Sequence, residues 1–170
     1  TATNQIYTLS LHDALPISYG LGKKDPRMAY KRGLYAGCGF STEDLGKPLI
    51  AIVNSQTEVN PGHIHLRQLA DAVKKGVWQA GGTPMEFNTI AICDGIANSG
   101  TKSKFVLPSR EIIASSLECL VQAHGFDGVV CICSCDKIIP GMIMGAIRCD
   151  LPTILDRKST RLNSSHRIRS

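Results

Sequence analysis

The chain has 170 residues, 43% of them hydrophobic, with 19 Lys and Arg against 14 Asp and Glu. That suffices for one domain core, and no apolar run approaches the roughly 20 residues of a membrane span. A formal charge of +5 would suit a polyanion partner, but most of it lies in residues 156–170, so nucleic acid is set aside.

Residues 1–17 hold neither Lys nor Arg, so they lack the basic start of a secretory signal and the arginines of a transit peptide. Thr8 to Ile17 (TLSLHDALPI) and Asp156 to His166 (DRKSTRLNSSH) are what a common sequencing-library adapter encodes in one reading frame. The expectation is that 1–17 and 156–170 are adapter-derived artefacts and that 18–155 is a partial N-terminal α/β domain.

Asp25-Pro26 opens a helix, with Asp capping and Pro in the first turn. It runs to about Tyr35 and stops near Gly37 and Gly39. Pro48 to Asn54 is almost continuously apolar, as in a parallel strand covered on both faces. From about His63 to Ala80, Leu66, Leu69, Ala70, Val73 and Val77 line one helical face, and Gly81-Gly82 end it. Met85 to Ile92 reads as a second strand and Gly95 to Lys104 as a loop. A helix follows from Pro108 to about Ala123, with Ile112, Ile113, Leu117, Leu120 and Val121 facing inward. Gly128 to Cys133 is a β-branched, buried strand, Gly141 to Arg148 a short helix, and Pro152 to Leu155 the start of another strand. This alternation predicts an α/β fold, a three-layer sandwich with a mainly parallel sheet.

Cys135, Asp136 and Lys137 fall where the third strand should end, and Asp94 lies just past the second. Open α/β sheets place ligands at those carboxyl ends. A thiolate selects iron–sulfur clusters and a carboxylate selects magnesium, and two aspartates on converging loops can share one hard cation. The residues alone leave plainer readings open: a core cysteine before a turn, an Asp-Gly turn at Asp94, and a surface lysine. The seven cysteines, an odd count without a secretory signal, read as reduced thiols of a cytoplasmic protein rather than a disulfide framework. Cys131 and Cys133 read as core thiols, and Cys93, next to Asp94, could approach a cluster but is not assigned to it. His63 and His65, alternating at a helix start, read as capping or surface residues. The rival reading is a non-catalytic, flavodoxin-like module holding an anion at Gly95 to Gly100. That loop, however, lacks the spacing of the common phosphate-binding glycine motifs.

Several blocks occur in order between about Lys31 and Ile154. They are PLIAIVNS (Pro48 to Ser55), PGHIHL (Pro61 to Leu66), EFNTIA (Glu86 to Ala91), DGIA (Asp94 to Ala97), LPSRE (Leu107 to Glu111) and Cys135-Asp136-Lys137 with Pro140-Gly141. Together they resemble the dihydroxy-acid dehydratase / phosphogluconate dehydratase family, and the dihydroxy-acid branch most. The resemblance implies a hydro-lyase that converts a 2,3-dihydroxy carboxylate to a 2-keto acid, as in isoleucine and valine biosynthesis. A sugar-acid substrate is the alternative. It implies Mg2+ held by Asp94, Asp136 and a carboxylated Lys137, with Asp136 and Lys137 catalytic and an iron–sulfur cluster on Cys135. Burial of the lysine is expected to supply the neutral amine that carboxylation needs. Gly62 stands where the 2Fe–2S branch has a cysteine, which resembles the branch associated with an oxygen-labile 4Fe–4S cluster, and both types stay open. The resemblance further implies a homodimer or higher oligomer and a missing C-terminal half that carries the base, a cluster cysteine and a glutamate ligand. The fragment alone is then expected to be inactive.

The two end segments give the first testable expectation. The DNA encoding them should match the adapter base for base, and re-amplification from the source genome should replace both. Unrelated codons in either segment would remove the artefact reading.

Overall fold

The computed structural model describes residues 21, 26–98 and 100–157. Asp25 and most of the two end segments lie outside the described residues, so the cap at Asp25 and the readings of 1–17 and 158–170 have no structural counterpart. A short 3-10 turn, Pro26–Met28, leads into α1 (Ala29–Gly37). The remaining elements are β1 (Leu49–Asn54), α2 (Leu66–Gln79), β2 (Thr83–Asn88), α3 (Asp94–Ala97), α4 (Ser109–His124), β3 (Gly128–Cys133), α5 (Ile138–Cys149) and β4 (Thr153–Arg157).

Among the described residues the strands form one sheet in the order β2-β1-β3-β4, with every pairing parallel. Successive side chains of a strand point to opposite faces, and both faces of β1 and β3 are buried. Leu49, Ala51 and Val53 join Val129, Cys131 and Cys133 on one face, beneath Ile113, Leu117 and Val121 of α4 and Ile138, Met142 and Cys149 of α5. Ile52, Val130 and Ile132 fill the other face against Leu66 and Ala70 of α2. These are the three layers that the uninterrupted apolar runs imply.

The structure corrects several boundaries. The second strand covers Thr83–Asn88 rather than Met85 to Ile92. It sits at an edge and stops where its partner stops, at the Asn54↔Asn88 pair. An edge strand also tolerates Pro84, which has no N–H to give a ladder. The stretch expected as a loop holds α3 and a 3-10 turn, Gly100–Phe105. Ile112 is 55% exposed, because the inward line of α4 runs Ile113, Leu117, Val121, with Ala114 also buried. The fourth strand runs past Leu155, pairing Asp156 with Ile132 and Arg157 with Cys133.

The largest change is at α5, which begins at Ile138 and not at Gly141. Pro140 is its third residue, where the N–H it lacks is one of the four a helix start leaves unpaired. Gly141 and Gly145, four apart, face α4. A Cβ on Gly145 would lie 2.8 Å from the Ala114 carbonyl oxygen, and one on Gly141 would lie 3.0 Å from that of Arg110. The two helices therefore meet backbone against backbone.

Gly145→Ala should destabilise the protein by about 1–2 kcal/mol, the crowding outweighing the gain in helix propensity. Gly76→Ala, in α2 with open space around it, should instead stabilise by about 1 kcal/mol. Denaturant unfolding of both variants checks the pair, and equal shifts of the same sign would contradict the packing described.

Candidate functional site

β1 and β3 end side by side, with Asn54 opposite Ile132. Immediately beyond them come Ser55 on one loop and Ser134 to Lys137 on the other. Cys135 has φ +70, and with Asp150 it is one of two non-glycine residues at positive φ among those described. That conformation costs an L-residue roughly 1–2 kcal/mol and turns the chain off the sheet into α5. Asp94 opens α3 on the loop after β2.

These loops bring Asp94, Asp136 and Lys137 together. Lys137 Nζ lies 2.6 Å from Asp136 Oδ2 and 3.4 Å from Asp94 Oδ2. Asp94 Oδ1 is buried with no hydrogen-bond partner in the structure described. Burial, reinforced by the neighbouring Asp136 carboxylate, raises the pKa of Asp94 above its ordinary value, against the pull of Lys137. Asp136, mostly exposed, is lowered chiefly by its hydrogen bond from Lys137. The lysine corrects an expectation. Its pKa is raised, first by the hydrogen bond to Asp136, so burial does not supply a neutral amine: two carboxylates hold the ammonium charged.

Cys135 is half-buried beside this cluster. Asn60 Nδ2 donates to its Sγ at 3.6 Å. Burial raises its pKa, with Cys93 and the Asp94 carboxylate adding to the effect. Gly62 faces the thiol: a Cβ built there would meet Cys135 Sγ at 3.4 Å and Asn60 Oδ1 at 3.4 Å. Cys131 and Cys133 are core thiols, as read. Burial pushes Cys133 up to about 12 and Cys131 further still, so neither offers a thiolate.

His63 is a second correction, since it neither caps nor sits on the surface. It is fully buried, with Nδ1 2.7 Å from the Ser55 carbonyl oxygen and 3.0 Å from the Ser55 hydroxyl. Nε2 lies 3.1 Å from the Ser134 carbonyl oxygen. Burial lowers its pKa, although both carbonyls pull the other way. His65 takes the N-cap position of α2 without a side-chain cap bond. The reading of the sequence also passed over Asn60, which accepts from the Gly62 N–H as well as reaching Cys135. A polar Asn-Ser pair closing an apolar strand, followed by Pro-Gly-His, was the available signal.

Among the described residues no group of three or more His, Cys, Asp and Glu could hold a metal ion. What this chain offers is partial: an unpaired Asp94 Oδ1 and the Asp136 carboxylate for a hard cation, and Cys135 for a soft one. The unpaired oxygen fits such a cation. The ammonium of Lys137 occupies the position between the carboxylates, so it fits only once that charge is gone.

The family model described as "Dihydroxy-acid/6-phosphogluconate dehydratase N-terminal" matches residues 47–160. The chain is 59% identical over 133 residues to a dihydroxy-acid dehydratase of Methanococcus maripaludis, covering 78% of this chain and 24% of that protein. It is 57% identical over 132 residues to one of Pyrococcus abyssi, with the same coverage, and 53% identical over 133 residues to one of Methanobrevibacter smithii. The chain thus spans about a quarter of the length of the curated relatives it matches.

The two aspartates should respond to pH with opposite signs. A carboxyl whose folded pKa is raised costs stability that builds as pH rises from its ordinary value and is complete above its folded value, and a carboxyl whose pKa is lowered contributes stability that is lost as pH falls. Asp94→Asn should therefore raise the unfolding temperature at neutral pH, and the gap should close as pH drops towards the ordinary value of 3.8. Asp136→Asn should lower it slightly and in a salt-dependent way, because that side chain is 71% exposed. Unfolding curves across the acid range decide, and shifts of the same sign would contradict the assignment.

Proposed function

This chain belongs to the dihydroxy-acid/6-phosphogluconate dehydratase family, in its N-terminal portion, and we propose that it is part of an enzyme removing water from a 2,3-dihydroxy carboxylate to give a 2-keto acid. The relatives named dihydroxy-acid dehydratase support the branched-chain biosynthetic substrate over a sugar acid. The observation that carries the reading is the meeting of Asp94, Asp136 and Lys137 around a buried, unpaired carboxylate oxygen, with the Cys135 thiol alongside.

The chemistry needs a proton taken from C2 and a hydroxyl expelled from C3, and hydroxide leaves poorly without an electrophile. When bound, Mg2+ supplies an electrophile for the substrate carboxylate and C2 oxygen, and an iron–sulfur cluster supplies one for the C3 hydroxyl. Asp94 and Asp136 contribute hard oxygens, with Asp94 Oδ1 the free acceptor. Cys135 contributes the soft ligand from the same corner. Lys137 is carboxylated on this reading: its ammonium would lose one proton to solvent, the neutral amine would add through nitrogen to the carbon of carbon dioxide, and a second proton would leave to solvent, giving an anionic carbamate oxygen donor. Its charge is favoured by the Asp136 and Asp94 carboxylates, the same two that would hold a divalent cation, and a cation there would weaken their hold on the ammonium proton. We assign the C2 base and the other cluster ligands to sequence beyond this chain, and keep residues 18–155 as the enzyme segment. Gly62 favours a 4Fe–4S cluster. The seven free cysteines support a reducing, cytoplasmic setting. Oligomerisation as a homodimer or higher follows the family resemblance alone.

The test is the full-length enzyme purified without oxygen. It should contain iron and acid-labile sulfide and should form a 2-keto acid from a branched 2,3-dihydroxy carboxylate in the presence of magnesium. Asp136→Asn should reduce turnover at least about a hundredfold, since several kcal/mol of charge stabilisation ride on that carboxylate. Near-normal turnover in the variant would remove Asp136 from the site, and iron-free protein with full activity would remove the cluster.

A further inference from the structure

A buried histidine joins two loop ends that carry the site. Ser55 directly follows β1 and Ser134 directly follows β3, and the His63 ring bridges them through Nδ1 and Nε2. The Ser134 carbonyl belongs to the peptide plane that precedes Cys135, and the tilt of that plane sets the φ of Cys135. Here that φ is +70. A non-glycine residue relaxes out of this region unless its surroundings hold it there. A neutral imidazole carries one N–H. With that hydrogen on Nε2, the ring donates to the Ser134 carbonyl oxygen at 3.1 Å, while Nδ1 lies 3.0 Å from the Ser55 hydroxyl, which itself donates to the Ile132 carbonyl oxygen.

We propose that His63 is a positioning residue: its Nε2–H fixes the Ser134 carbonyl and thereby holds Cys135 in the left-handed conformation that aims its thiol at the cluster site. The part concerning the cluster rests on the functional reading above. The part concerning Cys135 rests on geometry alone. The released alternative is a Cys135 that returns to ordinary backbone and carries its sulfur away from Gly62 and Asn60, its present neighbours.

Two amide variants separate positioning from bulk stability. The glutamine amide of His63→Gln reaches the place of Nε2 and can still donate to Ser134. The shorter amide of His63→Asn reaches only the place of Nδ1, towards Ser55. Both lose the ring, so both should lower the unfolding temperature of the full-length protein comparably. After anaerobic reconstitution, His63→Gln should keep the wild-type visible spectrum and iron content. His63→Asn should release iron to a chelator roughly tenfold to a hundredfold more readily, as outer-shell substitutions do. In the metal-free protein, Cys135 should be alkylated severalfold faster in His63→Asn than in either wild type or His63→Gln, followed by peptide mass spectrometry. Equal iron retention and equal alkylation in the two variants would overturn the proposal. If wild-type protein takes up no iron, the functional reading fails, and the alkylation comparison alone decides whether His63 positions Cys135.

Discussion

β3 is covered on both faces and paired on both edges, by β1 and β4. Its residues are all buried and the strand is paired on both sides, so where it ends something else must satisfy the backbone. That point is fixed at Cys133. Within four residues the backbone must leave the sheet and start α5 at Ile138. The turn is made through one left-handed cysteine. Cys135, Asp136 and Lys137 are thus presented where they are because the buried strand has nowhere else to stop.

The electrostatics of the corner follow from that crowding. Two carboxylates and one ammonium share it, and the ammonium answers both. Asp94 bears the cost, being the more buried acid with an oxygen that has no hydrogen-bond partner among the described residues. A fold selected for stability alone would not keep such a group. Destabilising polar groups concentrate where function requires them, and this one lies at the carboxyl edge of a parallel sheet, the usual place for a ligand.

Much of the fold was legible because its signals are local. The unbroken apolar runs of β1 and β3 announced two-sided burial, and the Leu66–Val77 stripe announced α2. Errors arose where tertiary context overrides a local rule. Pro140-Gly141 looks like a turn, yet the proline falls in the first turn of a helix, and the glycine is there to admit α4. Ile112 looks like core but faces outward, since one helical face had room only for Ile113 and its neighbours. For the site, the convergence of Asp94, Asp136 and Lys137 could be anticipated from loop placement. The burial of His63 could not, because its partners are the carbonyls of Ser55 and Ser134, one of them 71 positions away in the chain. Nor could the charge state of Lys137, which depends on distances to two carboxylates that no spacing rule supplies.

Gly62 carries a consequence at the level of the gene. Its backbone lies outside the region that bars a side chain, and a Cβ there would make ordinary contact with Cys135 Sγ at 3.4 Å. Glycine codons GGT and GGC become the cysteine codons TGT and TGC by a single base change. A lineage carrying either codon stands one point mutation from a cysteine whose Cβ lies beside the Cys135 thiol. Forms of this domain with one or two cysteines at this corner are then neighbours in sequence space.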